Sequence, residues 1–126
     1  MFFGEHIEKI KGKRVNIPYE LGDSPCEVLC LQEKGFEVFV AIFPADVTDA
    51  KKSYKCCDVL ERKKVVVKGS VELPQAFLDC MNGKTKVAVI GVHDRIEIVK
   101  VRMPRKTENL DDILGELKKM LDGKEL

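Results

Sequence analysis

The residues whose type and spacing could do chemistry are mostly basic. Lys9, Lys11, Lys13 and Arg14 crowd one short turn, and Arg62, Lys63, Lys64 and Lys68 crowd the approach to a second. The whole chain carries a formal charge of only +1. Clustered base on a near-neutral chain points to a local anion site rather than to a generally basic surface. A solvated hairpin rim is the bland reading of the same clusters. The balance is also uneven along the chain. Residues 107–126 hold more Asp and Glu than Lys, so the positive excess belongs to the part before them.

Other chemistry finds less support. There are five cysteines, an odd number, and none forms a C-x-x-C pair. Cys26 and Cys30 share one face of an expected strand, Cys56 and Cys57 are adjacent, and Cys80 stands alone. His6 and His93 are far apart in sequence. A zinc site assembled in three dimensions is conceivable, but buried, reduced thiols fit the pattern better. No metal or cofactor is expected. Gly12-Lys13-Arg14 and Gly83-Lys84-Thr85 lack the upstream glycine spacing of a phosphate loop. His93 and Asp94 read as turn residues, and no local Cys-His nucleophile motif occurs. With no Trp and 6% aromatic residues, stacking on single-stranded bases is unattractive. The expectation is therefore not an enzyme, and no small-molecule substrate is implied.

The elements that would carry the basic turns come in two similar sets. Lys11-Gly12-Lys13-Arg14-Val15-Asn16-Ile17-Pro18 is matched by Val67-Lys68-Gly69-Ser70-Val71-Glu72-Leu73-Pro74, so that Pro18 and Pro74 stand 56 positions apart by their numbers. Each is a Lys/Gly turn, with Gly12 and Gly69 forming the bend, then apolar-polar-apolar, then proline. A β-rich hairpin follows each: one from Cys26 to Phe43 turning at Glu33-Lys34-Gly35, the other from Lys86 to Met103 turning at His93-Asp94-Arg95. Aligning Phe36-Glu37-Val38 with Ile96-Glu97-Ile98 gives a spacing of 60 for the hairpins. A duplicated unit of this size predicts two half-domains completing one core, 1–57 and 58–126.

Alternation predicts strands at His6–Ile10, Arg14–Ile17, Val59–Val67 and Ser70–Leu73 beside the two hairpins. Short helical turns are expected at Pro18–Leu21 and within 46–52, and a helix at Pro74–Met81 stopped by Asn82-Gly83. The clearest helical pattern lies near the end of the chain. Leu110, Ile113, Leu114, Leu117, Met120 and Leu121 form one stripe, with acidic residues at its start and Lys118 and Lys119 near its end. That stripe is read as core packing, with a subunit contact as the other choice. Apolar runs are strand length, and the opening Met1-Phe2-Phe3-Gly4-Glu5-His6 has neither the basic nor the apolar region of a signal peptide. A cytoplasmic location is expected, with no membrane partner.

The repeated turn-strand-proline units resemble the bacterial MraZ family, of the AbrB-like swapped-hairpin class. So does Val87-Ala88-Val89-Ile90-Gly91-Val92-His93-Asp94-Arg95-Ile96-Glu97-Ile98, and Met1-Phe2-Phe3-Gly4-Glu5 is similar to that family's opening. The resemblance covers nearly the whole chain and is weakest near residues 44–58. It implies a mainly β fold with short helices: a tandem repeat of two swapped-hairpin, double-split-barrel units plus a C-terminal helix. It implies a DNA-binding transcriptional regulator of a division and cell-wall gene cluster, nucleoid-associated, whose partners are double-stranded DNA and copies of itself in a ring.

The family's DNA-contacting motif is Asp-x-x-Gly-Arg followed by apolar-x-apolar-Pro. Arg14 matches its arginine in the first copy, with Lys11 near the place of the aspartate. In the second copy Gly69 is kept, Ser70 stands for the arginine and Val67 lies near the aspartate position. The DNA-binding set is then Arg14, Lys13, Lys11, Lys9, Lys68, Lys64 and Lys63, with Arg14 dominant and Ser70 contributing little. The alternative is a degenerate relative that assembles and binds a protein partner without reading DNA sequence.

Overall fold

The computed structural model describes residues 2–34, 37–47, 54–55 and 57–101. The fold is mainly β. Among the described residues the order is β1 (Glu5–Lys9), β2 (Arg14–Asn16), β3 (Cys26–Glu33), β4 (Val38–Phe43), β5 (Cys57–Val65), β6 (Ser70–Glu72), α1 (Gln75–Cys80), β7 (Lys86–Val92) and β8 (Arg95–Lys100). Six strands make one antiparallel sheet in the order β1-β7-β8-β4-β3-β5, and β2 pairs with β6 in a separate ribbon.

Near-continuous apolar runs explain the middle of the sheet. A strand with both faces covered loses the alternation of a half-buried one. β3 turns Cys26, Val28 and Cys30 to one face and Leu29 and Leu31 to the other, and all five are buried. β4 does the same with Val40 and Ile42 against Ala41 and Phe43. The main core lies between the sheet and the ribbon. There Val15, Ile17, Val71 and Leu73 meet Val87, Val89, Ile96, Ile98 and Phe77.

The two outer strands come from the start and the middle of the chain. β1 lies against β7, and β5 lies against β3 with a register shift between Cys30 and Leu31. β5 is exposed along most of its length and alternates poorly, as an edge strand can. At the other edge the segment before β1 crosses Gly91 so closely that a Cβ there would lie 2.5 Å from the Phe3 nitrogen.

Two expected turns form as read. His93-Asp94 is a two-residue connection between β7 and β8, with His93 at φ 56°. α1 ends before Asn82 and Gly83, both left-handed at φ 52° and 80°. A Glu61 carboxylate on β5 accepts the Ala76 N–H at 2.9 Å near the helix start.

The helical turn expected at Pro18–Leu21 does not form. Tertiary contacts win there: the Tyr19 hydroxyl reaches back to the carbonyls of Phe3 and Gly4 at 2.8 and 2.9 Å, and Leu21 is drawn into the core. The turn expected within 46–52 falls mostly outside the described residues, as do Gly35-Phe36 and the helical stripe expected over Leu110–Leu121.

Candidate nucleic-acid interface

Alternation decides what the β2–β6 ribbon shows to solvent. Val15 and Val71 sit directly opposite one another and are 1% and 2% exposed on the core side. Their neighbours Arg14, Asn16, Ser70 and Glu72 must therefore face outward. Arg14 stands opposite Glu72, and Asn16 opposite Ser70. Backbone bonds lengthen the ribbon at both ends. The Leu73 N–H donates to the Lys13 carbonyl at 2.8 Å, and the Ile17 N–H to the Gly69 carbonyl at 2.9 Å. The two basic turns consequently lie at opposite ends of one exposed surface.

Glycine makes both turns possible. Gly12 and Gly69 take φ of 64° and 73°, a region that costs side-chain-bearing residues energy. Around Gly12, the Lys11 and Arg14 backbones exchange hydrogen bonds of 2.9 and 3.1 Å.

The guanidinium of Arg14 does not hang free. Its Nε donates to Ser70 Oγ at 3.2 Å, and its Nη2 to the same Oγ at 3.1 Å and to the Ser70 carbonyl at 3.3 Å. Ser70, which the sequence aligns with Arg14, is thus the residue that holds the Arg14 guanidinium. That link was invisible in sequence, where the two are 56 positions apart.

The lysines divide. Lys13 and Lys63 border a cleft of about 280 Å³ with Glu61 and Glu72 beside the ribbon, and Lys63 Nζ pairs with Glu72 at 3.6 Å. Lys68 pairs with Asp23 at 3.0 Å. Such exposed pairs contribute ~0–1 kcal/mol, so a phosphate can replace the carboxylate at little cost. Lys11 lies in the first turn. Lys9 ends β1 opposite Lys86, on the edge of the six-stranded sheet. Lys64 lies opposite Glu27 and borders the cleft formed with Arg62, Pro44 and Val47, on the face away from the ribbon. The fold therefore gathers Arg14, Lys11, Lys13, Lys63 and Lys68 and leaves Lys9 and Lys64 apart, each on the sheet face away from the ribbon.

Two outward ribbon residues, Asn16 and Glu72, were missed from sequence. The strand period of two would have found them, since each lies two places beyond Arg14 or Ser70. Asn16 adds an amide suited to a base edge, and Glu72 adds a carboxylate that phosphate would repel.

The thiols do something else. Cys26 and Cys30 are buried in the core, and burial is the main cause that pushes both upward, Cys30 to about 12. A thiol held neutral is a poor nucleophile and a poor metal ligand. Among the described residues no group of three or more His, Cys, Asp or Glu side chains is arranged to hold a metal ion. Cys56 lies outside the described residues. Nor is any described helix long and apolar enough to cross a membrane.

No protein-family model matches the chain, and no curated protein matches its sequence.

Proposed function

We propose that the chain is an MraZ-like DNA-binding regulator that reads duplex DNA with the β2–β6 ribbon. The observation that carries this reading is the exposed ribbon face, where Arg14, Asn16 and Ser70 stand together between two lysine-bearing turns. A two-stranded ribbon fits the major groove of B-DNA, where arginine suits a guanine edge and asparagine an adenine edge. Lysines at the two ends would supply sequence-independent phosphate affinity. The regulated genes would be a division and cell-wall cluster, as the family resemblance implies, and the protein would act in the cytoplasm at the nucleoid.

The architecture we infer is a tandem repeat whose halves exchange strands. Three features support it. β1 of the first half pairs with β7 of the second, and β5 of the second pairs with β3 of the first. The ribbon is centred on Val15 and Val71, residues at the repeat spacing of 56. The β4–β8 pairing is centred on Ala41 and Glu97, which have that same spacing rather than 60. An alternating pattern looks identical after a shift of four, so sequence could not choose between the two alignments.

The edges of β1 and β5 leave backbone groups to be covered, which favours a cyclic homo-oligomer. Sedimentation velocity should show a species larger than one chain at micromolar concentration.

A degenerate, partner-binding protein is the second reading. It draws on Glu72 in the ribbon and on the carboxylates already paired with Lys63 and Lys68. Fluorescence anisotropy on duplex DNA across a salt series separates the two. The regulator reading expects affinity to fall steeply between 50 and 200 mM salt, by roughly 10³–10⁵ if six to ten phosphates are contacted by the assembly. Binding no tighter than that of a charge-matched control protein, and unchanged by Arg14→Ala, would reject it.

A further inference from the structure

On the face of the six-stranded sheet that points away from the ribbon, one row is apolar across its width, with Glu97 in the next row bonded to the Tyr54 hydroxyl. Register aligns Ile7 with Ala88 and Ala88 with Val99, and aligns Phe39 with Leu31 and Leu31 with Val59. Phe39 and Val99 border the same cleft of about 690 Å³, which joins the two halves of this row. Both ends of the row are open, with Ile7 55% and Val59 43% exposed.

The chain itself covers one half. After β4 it turns over the outer face, and Val47, Tyr54 and Cys57 pack on Leu29, Leu31, Ala41 and Phe43. Among the described residues no comparable apolar cluster forms over β1, β7 and β8, where Ile7, Ile90 and Val99 remain. The chain leaves β8 at Val101 on this half, next to Lys86 and Lys9.

We propose that the apolar stripe Leu110–Leu121 of the same chain seats on this second half of the row. Its length fits along the strands: the seven residues of β7 run ~23 Å, and Leu110–Leu121 as a helix spans ~18 Å. Its charge fits as well. Glu108, Asp111 and Asp112 begin the stripe, and Lys9 and Lys86 flank the point where the chain departs. The segment after β8 then does for the second hairpin what the segment after β4 does for the first. This assignment does not depend on DNA binding.

Methyl-labelled NMR of the full chain tests it. Cross-peaks are expected between Ile7 or Ile90 methyls and those of Leu114 or Leu117. In a mixture of differently labelled copies, cross-peaks between copies would assign the row to a second copy and overturn the proposal, as would no cross-peaks in either sample. Hydrogen exchange gives a second reading. Ile7→Glu, at an exposed edge position, should speed exchange across 110–121 by about tenfold or more while the β3–β4 hairpin stays protected. Unchanged exchange over 110–121 would count against the seat.

Discussion

The turn before β2 and the turn before β6 share a backbone plan and differ in chemistry. Each has a left-handed glycine, a short strand with one buried valine at its centre, and a proline beyond. The first presents Arg14 with Lys11 and Lys13. The second presents Ser70, and its Lys68 is paired with Asp23. The difference has a physical sense once the strands pair. Arginine at both positions would set two guanidiniums within reach across the ribbon, and like charges across strands destabilise. A serine there converts repulsion into a donor–acceptor contact. The ribbon therefore gives up one cation and gains a fixed orientation for the other.

The largest effects should come from the part the turns share. Val15→Asp and Val71→Asp each place a carboxylate where almost no water reaches, and each should cost about 3–5 kcal/mol. Urea unfolding of the two variants should give nearly equal losses. If one is tolerated and the other is not, the two turns do not play equivalent structural roles.

Next in size is the contrast in binding. Arg14→Ala should weaken affinity for a preferred duplex by about 1–3 kcal/mol. Ser70→Ala removes the hydroxyl that accepts from Arg14 Nε and Nη2 but keeps the carbonyl, so a smaller loss of about 0.5–1.5 kcal/mol is expected. This replaces the sequence-based expectation that Ser70 contributes little. An unchanged affinity in Ser70→Ala would show that its hydrogen bonds do not prepare Arg14 for DNA.

The hairpins extend the comparison to pH. The first packs Cys26 and Cys30 on the core face where the second packs Val87 and Val89. Burial raises the folded-state value of Cys30 from 9.0 to about 12, so folding favours the neutral thiol. Its contribution to stability is complete below pH 9 and is lost as pH climbs from 9 through 12. Cys30→Val should flatten that alkaline decline with little change below pH 9. Urea midpoints that fall equally with pH in both proteins would assign the decline to other groups.

Much of this fold was legible because its signals are local. Proline, glycine and apolar alternation marked β2, β6, both hairpins and α1 to within a few residues. Failures came where distant residues decided the outcome. The segment Pro18–Leu21 has a good helix-opening proline, but the Tyr19 hydroxyl ties it to carbonyls far back in the chain. The candidate interface was half legible. Composition marked the basic clusters, but only the pairing of β2 with β6 could reveal that Arg14 rests on Ser70. Nor could composition separate neighbouring lysines, because facing is a property of register.

That separation gives the finest test of the comparison. Lys63 and Lys64 are adjacent in sequence and equal in charge. Strand alternation sends Lys63 toward Lys13 and Glu72 beside the ribbon, and Lys64 toward Glu27, Arg62 and Pro44 on the far face. A lysine that meets a phosphate releases about one counterion, so its loss should lower the slope of log affinity against log salt by about 0.9. Lys63→Gln should produce that change if DNA lies along the ribbon. Lys64→Gln should leave the slope at its wild-type value, because its ammonium is directed away from the bound duplex. Both substitutions remove the same formal charge, so a purely long-range effect would act on the two alike. Equal slope changes would therefore mean that the duplex does not lie on the ribbon face, whereas a change confined to Lys64→Gln would move the contact to the opposite face of the sheet.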